Sequence, residues 1–293
     1  MEVEYAVIGG SYAGMSAALQ LARARRSVAV IDAGLRRNRF AAESHGFLAQ
    51  DGRPPGEIAE EARRQLLKYP NVRWIEGQAQ TARRMDDEHF EVQSNGPSLQ
   101  ARRLILATGV VDEMPPLEGL AERWGRSVFH CPYCHGYELG GGAIGVLAAS
   151  PLAQHHALML PDWGTVTLFL NGNYTPDAEQ QAAFQRRGVE IEAVPVVRLS
   201  GHADVVLADG RVRSMAGLFT QARTRMASTV AEQLGCAFED GPTGPYIRTD
   251  ALQQTSVPGV FACGDAARAA GNVAISVGEG AMAGAAAHRS MLF

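Results

Sequence analysis

The densest chemistry in the chain lies in His130-Cys131-Pro132-Tyr133-Cys134-His135. Two cysteines separated by two residues can close a small ring, and at a helix start the exposed thiol becomes more acidic than a free one. That combination reads as a redox-active disulfide. Two other readings use the same letters. Cys-x-x-Cys-His spells covalent haem attachment, which in most bacteria needs export, yet the N-terminus MEVEYAVIGG lacks the basic start and long apolar stretch of a signal peptide. Zinc would draw on Cys131, Cys134, His130 and His135, but structural zinc sites normally take ligands from two separated segments, and no second Cys or His pair has suitable spacing. We therefore expect no metal. Cys236 and Cys263 stand alone and read as buried small hydrophobes.

A second constellation opens the chain. The apolar run Glu4 to Ile8 reads as a strand, broken by Gly9-Gly10-Ser11-Tyr12-Ala13-Gly14. Met15, Ala18, Leu19 and Ala22 then recur at helical spacing from Ala13 to Ala24, and Ser27 to Ile31 begins a second strand ending at Asp32. This is a βαβ unit with G-x-S-x-x-G where the dinucleotide fingerprint has G-x-G-x-x-G. Gly9 can make the tight turn, Gly14 lets helix and strand pack closely, and Ser11 is small enough for a pyrophosphate to reach the helix N-terminus. Asp32 can accept hydrogen bonds from an adenosine ribose. Such a turn can also be purely structural, and it serves NAD as readily as FAD. The choice falls to Thr255-Ser256-Val257-Pro258-Gly259-Val260-Phe261-Ala262-Cys263-Gly264-Asp265.

With that segment, Ala107-Thr108-Gly109 and the central Cys-x-x-Cys, the chain resembles the low-molecular-weight thioredoxin reductase family of FAD flavoproteins over nearly its whole length. The resemblance implies an α/β protein of two dinucleotide-binding, Rossmann-like domains of three-layer ββα type, the second inserted into the first. It implies that Asp265, after Gly264, hydrogen-bonds the ribityl chain of FAD, and that Asn272-Val273-Ala274 brings helix-start amides against the flavin pyrimidine, where a helix N-terminus favours the negative charge of reduced flavin. The family usually has Arg-Gln there, so Asn-Val removes a cation. It further assigns Ala33, Gly34, Arg39, His45, Ala79, Thr108 and Gly109 to the FAD site, turns Cys134 toward the flavin and leaves Cys131 to exchange with substrate. A homodimer is implied on the same ground. Where the family has an acidic proton donor after the second cysteine this chain has His135, a side chain suited to proton transfer near neutral pH; His130 is a further candidate. Cys-Pro-Tyr-Cys-His-Gly-Tyr-Glu looks like the dithiol oxidase branch, whose members close disulfides in gliotoxin-type and holomycin-type natural products.

The nicotinamide site of an ordinary thioredoxin reductase is not legible. Ala148-Ala149-Ser150-Pro151 stands in place of a glycine-rich turn, where β-carbons would crowd a pyrophosphate and proline removes a backbone donor. The next strand ends Leu168-Phe169-Leu170-Asn171-Gly172-Asn173-Tyr174, without an arginine for a 2′-phosphate. We expect an NADPH-independent oxidase of small-molecule or protein dithiols, with oxygen as acceptor. The alternatives are a reductase fed by NADPH or ferredoxin, and a non-catalytic redox-sensing flavoprotein.

These residues need elements to hold them. Arg103 to Ala107 reads as a strand, and Met114-Pro115-Pro116 marks a boundary. Ala143 to Ala148 and Thr165 to Leu170 are buried-strand candidates flanking a helical stretch, a second βαβ-like unit. Gly259 to Ala262 is a last strand, followed by a small-residue helix from about Ala274 to His288. The expected division is an FAD-binding domain of residues 1–115 and 243–293 around an inserted NAD(P)-binding-like domain of residues 116–242. With 293 residues, 46% hydrophobic and 20% charged, the chain can fill two cores. Its net charge of -4 gives no basic field for nucleic acid, and no apolar run approaches membrane-spanning length, so we expect a cytoplasmic protein without nucleic-acid or membrane partners.

Overall fold

The computed structural model describes residues 1–96 and 98–293, which divide into two compact units. The first comprises residues 1–39, 55–111 and 224–293, and the second residues 40–54 and 112–223. The crossings between these units fall at 111/112 and 223/224, and the second unit also takes residues 40–54, a segment without any boundary signal of its own in the sequence.

In the first unit, β1 (Glu2–Ile8), α1 (Tyr12–Arg23) and β2 (Val28–Asp32) form the expected βαβ unit. β3 (Val72–Glu76), following α2 (Pro55–Leu66), extends the parallel sheet beyond β2. On the other side β1 pairs with β6 (Leu99–Leu106), whose first half continues into the antiparallel β5 (Phe90–Ser94) and β4 (Ala79–Arg84). The second half of β6 pairs with β19 (Val260–Ala262), so Ile8, Leu106 and Ala262 end side by side. β1, β2 and the end of β6 are apolar on both faces, as strands covered on both sides must be. α6 (Val230–Gln233) and the hairpin of β17 (Phe238–Asp240) with β18 (Pro245–Ile247) complete this unit.

One helix pair sets the geometry of the unit. α1 packs along α7 (Val273–Arg289) through small residues: a β-carbon on Gly280 would lie 2.1 Å from the Ala13 carbonyl oxygen, and one on Gly284 2.4 Å from that of Ala17. Advancing by four residues on each helix together means that they run parallel. Because α1 begins beside Ala13 while α7 begins two turns before Gly280, the α7 N-terminus projects beyond that of α1 by roughly 10 Å.

The second unit has a parallel sheet in the order β11-β10-β9-β15-β8, formed by β8 (Val128–Phe129), β9 (Ala143–Leu147), β10 (Thr165–Phe169), β11 (Glu190–Glu192) and β15 (Gly217–Thr220). α4 (Ala153–Met159) and α5 (Ala178–Arg186) make the crossovers from β9 and β10. A meander of β12 (Val196–Ser200), β13 (Asp204–Leu207) and β14 (Val212–Ser214) packs its apolar side with Leu147, Phe169 and Leu218. The chain crosses between the units near β7 (Val110–Glu113) and β16 (Arg223–Met226).

Candidate functional site

The ends of β1, β6 and β19 gather most of the motif residues of the first unit, as expected at the carboxyl edge of a parallel sheet. Gly9, at φ +105°, has no room for a side chain: a β-carbon would lie 2.2 Å from the Ala107 carbonyl oxygen, which puts the turn against Thr108 and Gly109. Gly10 is wedged between Trp74 and Asp32, and its amide donates to Asp32 Oδ1 at 3.1 Å. A β-carbon on Gly14 would sit 1.8 Å from the Gly9 carbonyl oxygen, so the close packing of helix on strand is a steric requirement. Ser11 is the N-cap of α1 and makes no side-chain cap bond, Ala13 packs on Gly264, and the Tyr12 hydroxyl donates to the Pro55 carbonyl at 2.9 Å.

Asp265 lies in the one-turn 3-10 segment Gly264–Ala267, and its Oδ2 accepts from Arg37 Nη1 at 3.1 Å. Asn272 caps α7, its side chain accepting from the Ile275 amide at 2.8 Å, so Val273 and Ala274 are the first helical residues as expected. Ala33 and Gly34 lie exposed after β2, and Ala79 starts β4 with its methyl group in the core. Arg39 is exposed and donates to the Arg36 carbonyl, whereas Arg36 is the arginine charge that acts on Tyr12 in α1's first turn, and Arg37 is the one on Asp265. The sequence reading named Arg39 and passed over both neighbours.

This cradle fits FAD. Two helices start at one end without an acidic residue in either first turn, and the buried Arg36 Nε and Trp74 Nε1 have no protein partner among the described residues. Amide-rich helix starts and a half-buried arginine suit a pyrophosphate, and carboxylates at Asp32 and Asp265 suit the hydroxyls of ribose and ribityl.

The dithiol belongs to the second unit. Cys131 and Cys134 are joined in a disulfide with Cα atoms 5.3 Å apart, Cys131 capping α3 (Pro132–His135) and Pro132 at its first position. α3 is a single turn, so its dipole is smaller than the helix start expected there. Among the described residues no three His, Cys, Asp or Glu side chains gather to hold a metal ion. The His135 ring stacks on Phe129 with centroids 4.2 Å apart, and His130 stacks on Trp124 at 5.9 Å. Burial, with His130 and His45 nearby, pulls the His135 pKa down to about 4. At neutral pH this imidazole is therefore neutral, and the proton it was expected to donate is one it must first accept.

His45 belongs to the second unit. It sits in the 40–54 segment of the second unit, where Nε2 lies 3.5 Å from Glu138 and 3.5 Å from Glu43, and Nδ1 3.7 Å from Asp51. The sequence reading missed His156, which is buried, bonds the His130 backbone and has its pKa lowered to about 4, chiefly by desolvation. That bond ties it to the residue just before Cys131. Its place on the buried face of a helix after Ala148-Pro151 resembles an ordinary core position, so no motif marks it.

At the β9 turn, the Ala148 amide donates to Phe169 and its carbonyl accepts from Asn173 Nδ2 at 3.1 Å. An open cleft of about 380 Å³ lies there, lined by Pro151, Gly172, Asn173, Tyr174, Asp177 and Gln180 among others. Among the described residues, Asp177 is its only charged lining residue. Arg187, Arg211 and Arg213 of this unit are ion-paired elsewhere, with Asp162, Glu192 and Glu190.

A family model for pyridine nucleotide-disulphide oxidoreductases matches residues 3–284. Thioredoxin reductase tcpT of Claviceps purpurea is 36% identical over 305 residues, covering 99% of this chain and 94% of that protein. Among solved structures, an oxidoreductase from Agrobacterium tumefaciens is 58% identical, with 100% and 99% of the two chains covered and a TM-score of 0.97. The structure of HlmI is 35% identical over 99% of this chain and 93% of its own, with a TM-score of 0.92.

Proposed function

Because the chain belongs to the pyridine nucleotide-disulphide oxidoreductase family and is an FAD-dependent disulfide oxidoreductase, we propose that it oxidises dithiols at Cys131–Cys134, without NADPH and with oxygen as final acceptor. The observation that carries this reading is the β9 turn: the Ala148 carbonyl is tied to the Asn173 side chain, and the adjoining cleft offers a phosphate no cation among its lining residues and one carboxylate, Asp177. Phosphate recognition draws on positive charge as well as backbone donors, and the Ala148 amide is already spent on Phe169 while no cation is among the cleft's lining residues.

The cysteines then work in order. A substrate thiolate attacks Cys131 Sγ, breaking its bond to Cys134, which leaves as a thiolate. The second substrate thiol attacks the substrate sulfur of the mixed disulfide, forming the product disulfide and releasing Cys131. The proton lost by that thiol passes to solvent, with His135, next to Cys134 in sequence and neutral at pH 7, a weak relay at most. When bound, FAD supplies a two-electron sink for the reduced cysteine pair and passes those electrons to oxygen, giving hydrogen peroxide. In the first unit, Gly9 to Gly14 with Arg36 would hold its pyrophosphate, Asp32 the adenosine ribose, Asp265 the ribityl chain and the Asn272–Ala274 helix start the flavin ring. We take the working form to be a cytoplasmic homodimer acting on small or protein dithiols.

The test is an anaerobic titration of the FAD-loaded protein with NADPH, NADH and dithiothreitol in turn. Dithiothreitol should bleach the oxidised flavin absorbance and air should restore it, while the nicotinamides leave it in place. Rapid bleaching by micromolar NADPH would refute the proposal and make this an ordinary reductase.

A further inference from the structure

The turn that presents Asp265 is gripped at both ends by one side chain outside every sequence motif. Glu279, on the second turn of α7, is only 7% exposed. Its Oε2 accepts from the Gly264 amide at 3.0 Å, and its Oε1 meets Arg268 Nε at 2.5 Å. Gly264 is the first residue of the 3-10 turn and Arg268 its C-cap, so Asp265 lies between the two anchors.

We propose that Glu279 is a positioning residue for FAD, holding Asp265 in place through the Gly264 amide and Arg268. The proposal rests on the assignment of Asp265 to the ribityl chain. The groups facing Glu279 are Arg268, Asp265 and the buried Cys263 thiol, and Asp265 is itself paired with Arg37. Desolvation raises the Glu279 pKa, and Arg268 and the Gly264 amide offset it only in part. A carboxylate with a raised folded-state pKa adds stability below its unfolded value and loses it as pH rises. At neutral pH an ionised Glu279 is therefore a cost to folding, and its use lies in what it positions.

This separates a positioning role from a merely structural one. The full chain, stripped of FAD, is titrated with FAD by quenching of flavin fluorescence, and the melting temperature of the apoprotein is measured alongside. Glu279→Gln keeps an acceptor for Gly264 but presents an amide to Arg268, and should weaken FAD binding about tenfold while leaving the apoprotein at least as stable as before. Arg268→Met, at the more exposed end of the pair, should weaken FAD binding similarly. Glu279→Gln combined with Asp265→Asn should bind no more weakly than Asp265→Asn alone. Wild-type affinity in Glu279→Gln and Arg268→Met beside a weakened Asp265→Asn would overturn the proposal alone. Wild-type affinity in Asp265→Asn would overturn the ribityl assignment and the proposal with it.

Discussion

Buried His156 and half-buried His135 should make the fold sensitive to mild acid well before its carboxylates titrate. His135 and His156 both fall from 6.5 to about 4, through desolvation first and neighbouring histidines second. Their depressed values mean that the unfolded chain binds more protons between these limits, so the stability they contribute is present above about 6.5 and is lost as pH falls toward 4. Between about pH 7 and about pH 5, each ring should cost roughly 2 kcal/mol, or about 4 kcal/mol together, a large share of a typical 5–15 kcal/mol. His156→Leu removes one titrating ring along with a buried Nδ1 that has no partner among the described residues. Urea unfolding followed by near-ultraviolet circular dichroism at the two pH values should show about half the wild-type loss in this variant. An unchanged pH dependence in His156→Leu would refute the reasoning.

Two other outcomes follow from the site. Cys131→Ser should leave Cys134 as a lone thiolate and give a long-wavelength charge-transfer band in the visible spectrum of the FAD-loaded protein, which Cys134→Ser should lack; the reverse pattern would exchange their roles. Gly14→Ala forces a methyl group against the Gly9 carbonyl, with 1.8 Å available, and should cost about 2–3 kcal/mol, read as a lower melting temperature together with reduced FAD content.

The backbone that carries the cofactor motifs was legible because its signals are local. The run before Gly9, the helical spacing after Ala13 and the apolar stretch before Thr108 gave β1, α1 and the end of β6 to within a few residues. Leu99 to Ala101 of β6 escaped because they pair with the antiparallel β5, a partner visible only in three dimensions. The same limit governed the site. Arg36 and Arg37 sit in a run of arginines, and only the fold tells which faces the glycine turn, which faces Asp265 and which faces solvent. His45 was assigned through the resemblance alone, and no local signal shows that residues 40–54 pack with the second unit. Glu279 and His156 occupy helical positions where an apolar residue would be ordinary, and a buried charge or imidazole has no signature beyond its partners.

The stagger of α7 beyond α1 makes the first unit a gauge of ligand length. If FAD is held as proposed, the two helix starts would act as separate handholds spaced along one direction, and a molecule would gain full affinity only by reaching both, since the second contact is made at the high effective concentration set by the first. A mononucleotide such as FMN would grasp the Asp265 end and leave the α1 end empty. On the proposed seating of FAD, selection of the dinucleotide over its shorter relative would reside in the spacing of two helix starts, held by glycines that let Ala13 and Ala17 approach so closely.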